Sequence, residues 1–138
     1  MSKIKLYREI IEFTSEVLGI ECKDFRKELF DNLADYKDDF YIDNGRSESY
    51  RFISDAAIED IHTEEVKDLV QDCYLNGTDL DKYPWIVIDW EETAENLRRS
   101  DGYGHHFSSY DGSYEEFDFT DAAEGGNASF NYCIFRTN

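Results

Sequence analysis

Apolar residues recur at three- and four-residue intervals from Lys3 to Leu18, where Ile4, Tyr7, Ile10, Ile11, Phe13, Val17 and Leu18 share one side of a helix and Gly19 supplies a stop. The same period returns from Lys23 to Tyr36 through Phe25, Leu29, Phe30, Leu33 and Tyr36, and the polar stretch at Asp43-Asn44-Gly45 reads as a loop. Tyr50 to Ile53 reads as a short strand. Ser54 is then placed to cap a helical stretch bearing Ile58 and Ile61, and Thr63 to cap again ahead of Val66, Leu69, Val70, Cys73 and Tyr74, with Asn76-Gly77 as the end. After Pro84, the run Trp85-Ile86-Val87-Ile88 is β-branched and predicts a buried strand. Asp89 with Glu92 forms a capping-box pattern for a helix through Trp90, Ala94 and Leu97 to about Arg99.

From Gly102 the period shifts toward two. His105 to Tyr110 and Tyr114 to Phe119 predict two strands joined at Asp111-Gly112, and Ser129 to Phe135 predicts a third, with a glycine-rich loop over Asp121 to Ala128. The expected fold is a single α+β domain: helices over about residues 1–100, then a small antiparallel sheet over about 102–136.

One domain also follows from 138 residues, enough chain to bury roughly 68% of its unfolded surface around one core. Ten Phe, ten Tyr and two Trp are too many aromatics for a chain that stays disordered. Three cysteines, Cys22, Cys73 and Cys133, are odd in number and widely spaced, which argues against a disulfide scaffold and for a reducing cytoplasm. Arg8, Glu9 and Glu12 interrupt any signal-peptide core, and no apolar run is long enough for a bilayer.

Charge alters the picture most. Fourteen Lys and Arg stand against 32 Asp and Glu, a formal net charge of −18, so the chain repels phosphate and is not expected to bind nucleic acid or an anionic membrane directly. The first 27 residues hold nearly half of the cations, and the excess of acid lies beyond them. Asp60, Glu64, Asp68 and Asp72 recur every fourth residue, which on a helix sets carboxylates about 6 Å apart in a row. Asp31, Asp35 and Asp39 predict a second row, and Glu91, Glu92 and Glu95 a third beside Asp89. Each such like-charge pair costs a helix roughly 0.2–0.5 kcal/mol, so the rows work against folding. Two readings remain open: a solvated face that keeps the chain soluble, as halophilic proteins also show, or carboxylates that imitate the phosphates of a nucleic-acid strand.

Conventional chemistry finds little support. Neighbouring His105 and His106, if on a strand, point to opposite faces and do not share a metal ion, and His62 adds no zinc spacing. Gly102-Tyr103-Gly104 begins like a dinucleotide fingerprint but lacks its third glycine. Asp79-Leu80-Asp81, and Asp118 with Asp121, do not follow a calcium-loop pattern. Cys22 and Cys73 are expected as buried hydrophobes, and Tyr83, Trp85 and Trp90 as core. No catalytic residue, metal or cofactor is predicted. An alternative remains: a small enzyme or nucleotide-ligand-binding module using Tyr103 to His106.

The segments Trp85 to Ala94, Asp101 to Gly112 (DGYGHHFSSYDG) and Tyr132 to Arg136 (YCIFR) resemble small uncharacterised proteins of phages and prophages. Ile88-Asp89 with Ala94 and Leu97, followed by a short strand finish, resembles the C-terminal end of ArdA-type antirestriction proteins, which are acidic DNA mimics; the DGYGHHF segment lies outside that pattern. These resemblances imply a host-directed accessory protein of the host cytoplasm. With the acidic rows, they predict a non-enzymatic anti-defence inhibitor that blocks a basic, nucleic-acid-binding restriction or CRISPR protein; a phage interaction protein that recognises its partner through aromatics is a further alternative.

Overall fold

Ile10 and Phe13 of the first periodic segment are fully buried along α1 (Lys3–Phe13) together with Leu6, which the spacing left out, whereas Tyr7, Ile11 and Val17, placed on the apolar side by that spacing, are exposed. The chain continues through a π-helical turn, Thr14–Leu18, closed by Gly19 at a φ of 67°, a left-handed geometry that glycine adopts without a Cβ penalty. The computed structural model describes residues 3–45, 48–76, 78–109, 111–119 and 131–138. α2 (Lys23–Ala34) buries Phe25, Leu29 and Leu33 and ends two residues before the predicted Tyr36.

The residues after α2 form a strand that the sequence reading left unassigned. In β1 (Asp39–Asp43), Phe40 and Ile42 turn inward while Asp39, Tyr41 and Asp43 face out, the period-two alternation of a strand. Asn44 then closes a turn to Glu48, with backbone and side chain both bonded to it, and β2 (Ser49–Ser54) pairs antiparallel with β1. After α3 (Ile58–Leu69), a second π-helical turn (Val70–Tyr74), a short 3-10 turn (Leu80–Lys82) and α4 (Trp90–Phe107), the chain returns as β3 (Tyr114–Asp118) and β4 (Asn131–Arg136). The four strands make one antiparallel sheet in the order β1-β2-β4-β3, so the fold is α+β.

The two faces of this sheet are covered by different helices. Phe40, Ile42, Tyr50, Phe52, Tyr132 and Ile134 pack with α1 and α2 around Phe13, Phe25 and Leu29, whereas Ile53, Cys133 and Phe135 pack with Ile58 of α3 and Phe107 of α4. Central β2 and β4 are therefore buried on both sides, and the molecule has three layers. Among the described residues, no helix is long and apolar enough to cross a membrane.

Several local expectations are corrected. Ser54 does not cap α3: its hydroxyl donates to Asp38, and Ala57 occupies the cap. Thr63 lies inside an unbroken α3, its hydroxyl spent on the carbonyl of Glu59. Trp85 to Ile88 pairs with neither edge strand of the sheet and is largely exposed, running instead between the 3-10 turn and α4. Asp89 does cap α4, accepting from the Glu92 N–H at 3.0 Å, but the helix passes Arg99 and reaches Phe107. His105 to Phe107 is accordingly helical, not a strand. Asp111-Gly112 leads into β3 instead of joining two strands; β3 pairs with β4 alone, with Glu116 opposite Cys133. Tyr110, and the predicted loop from Asp121 to Ala128, lie outside the described residues, as do Ser129 and Phe130.

Two glycines make that ending possible. Gly102 takes φ 71° and ψ −177°, a conformation open in practice only to glycine, and bends α4 so that its last turn faces the sheet. Gly104 is buried against the Gly112 backbone, where a Cβ would stand 1.9 Å from the Gly112 carbonyl oxygen.

Candidate functional site

The bend at Gly102 brings α4 against α3 over the sheet, and the polar side chains trapped there form one connected line. Arg51, near the middle of β2, is nearly buried; its guanidinium meets Asp39 at 2.6 and 2.8 Å on one side and Glu65 at 2.6 and 3.2 Å on the other. The rings of Tyr41 and Phe107 lie 5.2 and 4.9 Å from its central carbon, so the cation is held by ring faces as well as carboxylates. Glu65 also accepts from Nε2 of His106 at 3.2 Å. The His106 ring stands 4.7 Å from that of His62, which is fully buried. Arg98 can only donate, so its 3.0 Å bond fixes His62 Nδ1 as acceptor and puts the ring proton on Nε2, an atom without a hydrogen-bond partner among the described residues. Arg98 reaches on to Thr63 at 3.2 Å and Glu59 at 3.5 Å.

The protonation states follow from this geometry. Burial lowers the His62 pKa to about 4, and the neighbouring His106 and Arg98 push the same way against a smaller opposing pull from Glu65. Burial alone would raise Glu65, but hydrogen bonds from His106 and Arg51 and the guanidinium charge bring it down to about 2. For Arg51, burial works against the charge, and its bonds to Asp39 and Glu65 outweigh it. The line thus sets Arg51 between Asp39 and Glu65, and Arg98 between the neutral His62 ring and Glu59. Its evident task is to fasten α3 and α4 to the sheet.

The acids outside this line are what the surface presents. Asp60, Glu64 and Asp68 are exposed along α3 as the spacing predicts. Asp72 is exposed too, but it stands in the π-helical turn, whose wider bonding pattern turns it off the four-residue row. Asp31, Asp35 and Asp39 do not make a helical row: α2 ends at Ala34, Asp35 caps it, and Asp39 sits on β1 against Arg51. Glu91, Glu92 and Glu95 are exposed on the first turns of α4, Glu95 sharing an ion pair with Arg99 at 2.7 Å. Tertiary structure adds what spacing alone does not: Glu59, Asp60 and Glu64 of α3 and Glu91 and Glu95 of α4 border a single cleft of about 360 Å³, with Arg98 at its base.

A second groove, of about 560 Å³, runs between the same helices, with walls that include Val66, Leu69, Val70, Tyr74 and Leu97 and with His105 and His106 at one end. No protein-family model, curated protein or solved structure matches this chain. The likeness to phage proteins and to ArdA-type proteins therefore rests on the residues quoted for it.

Other sequence expectations fare unevenly. Cys22 is half-buried against the core, but Cys73 is exposed, because the π-helical turn rotates it off the apolar stripe. Burial raises the Cys133 thiol to about 12, with Glu116 and Asp55 adding to the shift. Tyr83 and Trp85 are exposed and Trp90 is half-buried, so none belongs to the core. The Asp79 side chain accepts from the Asp81 N–H, and Asp121 lies outside the described residues. No cluster of metal-ligating side chains occurs among the described residues. His106 turns into the buried line while His105 stays exposed beside Gly112.

The sequence reading passed over Arg51 and weighed His62 only as a zinc ligand, though the two are the centre of the buried line. Both left a signal. Arg51 interrupts the strand Tyr50-Arg51-Phe52-Ile53, and His62 sits four residues from Ile58 and from Val66, on the apolar stripe of α3.

Proposed function

We propose that the chain works by binding and not by catalysis, as a phage-type anti-defence inhibitor in the host cytoplasm whose α3–α4 face occupies the nucleic-acid groove of a basic restriction or CRISPR protein. The observation that supports this most directly is the convergence of two acidic rows, Asp60 with Glu64 and Glu91 with Glu95, around one cleft. Carboxylates about 6 Å apart along a helix approximate the charge spacing of a nucleic-acid strand. Arg51, whose charge is met by Asp39 and Glu65, takes none from the cleft's acids. A partner built to release counterions from phosphates would release them here as well.

Affinity capture from a bacterial lysate tests this reading, with retained proteins identified at low and high salt. The expected result is a nuclease or DNA-binding complex that high salt removes and DNA displaces, and that the triple charge reversal Asp60→Lys, Glu64→Lys, Asp68→Lys no longer retains. Retention unchanged in the folded triple variant overturns the assignment.

A second reading attaches to the other groove, where His106, oriented by Glu65, and His105 meet an apolar wall. A small nucleotide-like ligand held there would lose affinity in His106→Ala and keep it in the charge-reversed variant, as isothermal titration against a nucleotide panel would show.

A further inference from the structure

The segment between the 3-10 turn and α4 has the composition of a strand and none of its partners. Trp85 and Val87 are 74% and 88% exposed, Ile86 and Tyr83 about half as much, and Ile88 is half-buried. Residues 86–89 run without turn or bend. The backbone N–H groups of Trp85, Val87 and Ile88 bond no other described residue; only Ile86 N–H is used, closing a turn onto Tyr83 at 2.9 Å. The Tyr83 ring meets Trp85 edge-on at 5.4 Å, holding the start of the run in place. Four consecutive large apolar residues with a free backbone edge present the surface that an exposed sheet edge pairs with.

We propose that Trp85–Ile88 is a docking strand that adds to the sheet edge of a basic partner protein. The charges around it choose the occupant. Asp79, Asp81, Asp89, Glu91 and Glu92 flank the run, with Lys82 as the nearby cation. A second copy of this chain offers only acidic edges: Asp39, Tyr41 and Asp43 on β1, and Glu115, Glu116 and Asp118 on β3. Like charges placed opposite one another across a strand pair oppose pairing, so self-association is disfavoured and an edge rich in Lys and Arg is favoured. Aromatic and apolar residues at the centre with charge at the rim is also the arrangement in which a few anchors carry most of the affinity. The inference rests on the acidic-interface reading only for the sign of the partner's charge; the backbone pairing stands apart from it.

The test uses the whole chain with two synthetic peptides, one alternating lysine with valine and one alternating glutamate with valine. Binding is read by tryptophan fluorescence and by slowed exchange of the Val87 amide, with the Ile88 amide, which faces the opposite edge, as the reference. The lysine peptide is expected to bind and protect the Val87 amide but not that of Ile88, and the glutamate peptide to do neither; Val87→Pro, which removes the pairing donor from an exposed position, is expected to weaken binding about tenfold. Binding that survives Val87→Pro but fails in the Asp60/Glu64/Asp68 charge reversal overturns the docking strand and leaves the acidic face intact as a reading. Peptide binding by fluorescence that is retained in the charge reversal but lost in Val87→Pro supports the strand against the acidic face. Concentration-dependent dimerisation abolished by Val87→Pro overturns the choice of occupant in favour of a second copy.

Discussion

His62 makes the α3–α4 layer sensitive to acid, and the size of the effect follows from its surroundings. The ring is fully buried, takes a hydrogen bond from Arg98 on Nδ1, and holds a pKa near 4, whereas in the unfolded chain it titrates near 6.5. Below about 6.5 the unfolded state therefore binds a proton that the folded state refuses, so stability falls as the pH drops and stops falling below about 4. Each unit of separation corresponds to about 1.4 kcal/mol, which gives a loss of about 2 kcal/mol between pH 7 and pH 5, and about 3 kcal/mol once the effect is complete. Glu65, depressed to about 2, contributes in a different window: its stabilisation is present above about 4.5 and disappears only as the pH falls toward 2. Urea unfolding followed by far-ultraviolet circular dichroism at pH 7 and pH 5 measures the difference. In His62→Leu the loss between the two pH values should be smaller by about 2 kcal/mol, whatever its stability at pH 7. Equal losses in the two proteins would refute the reasoning, as would a directly titrated His62 ring with a pKa near 6.5.

Gly104→Ala should cost at least about 2 kcal/mol in thermal or urea unfolding, because the new methyl meets a backbone carbonyl that has no rotamer to retreat to. Arg51→Met should cost about 2–3 kcal/mol, the low end for a broken internal ion pair, since Asp39 and Glu65 each keep about a third of their side-chain surface in water; adding Asp39→Asn should recover part of the loss. A thiol reagent at pH 8 should label Cys73 fast in the folded protein and Cys133 only on unfolding, with mass spectrometry to assign the sites.

Periodicity along the chain was a good guide where one face of an element carries the burial. Ile10 and Phe13, then Phe25, Leu29 and Leu33, announced α1 and α2, though Tyr7 and Ile11 of the first pattern face out and Leu6 takes the inner place, and Asp89 with Glu92 announced the start of α4. It misled where a residue's environment is set from elsewhere in the chain. Trp85 to Ile88 has strand composition, yet whether it is buried depends on pairing with a sheet built from other parts of the chain, and it joins neither edge strand, β1 or β3. His105 to Tyr110 looked like a strand because the period shifts toward two ahead of Asp111-Gly112, whereas Gly102 bends a helix and Gly104 lets it approach Gly112. β1 carried the Phe40 and Ile42 alternation in plain view, but its outward acids had been grouped with those of α2. Of the candidate site, the α3 and α4 acids were visible as separate rows, while the cleft they share required the packing of two helices. The buried line through Arg51 and His62 joins residues from four elements, and no local pattern encodes that.

The layered arrangement has an electrical consequence. Nearly half of the cations belong to the first 27 residues, which build α1 and the start of α2 on one side of the sheet, while α3 and the opening turns of α4 on the other side carry Asp60, Glu64, Asp68, Glu91 and Glu92 in the open. Since five acids nearly balance the six cations of those 27 residues, the α1 side is close to neutral and the α3–α4 side is negative, so the charge is lopsided across the sheet. In the field of a positively charged body it turns before it touches, and the α3–α4 layer arrives first. Two proteins of equal net charge, one with its acids spread evenly and one layered like this, would meet a basic surface at different rates and in different orientations.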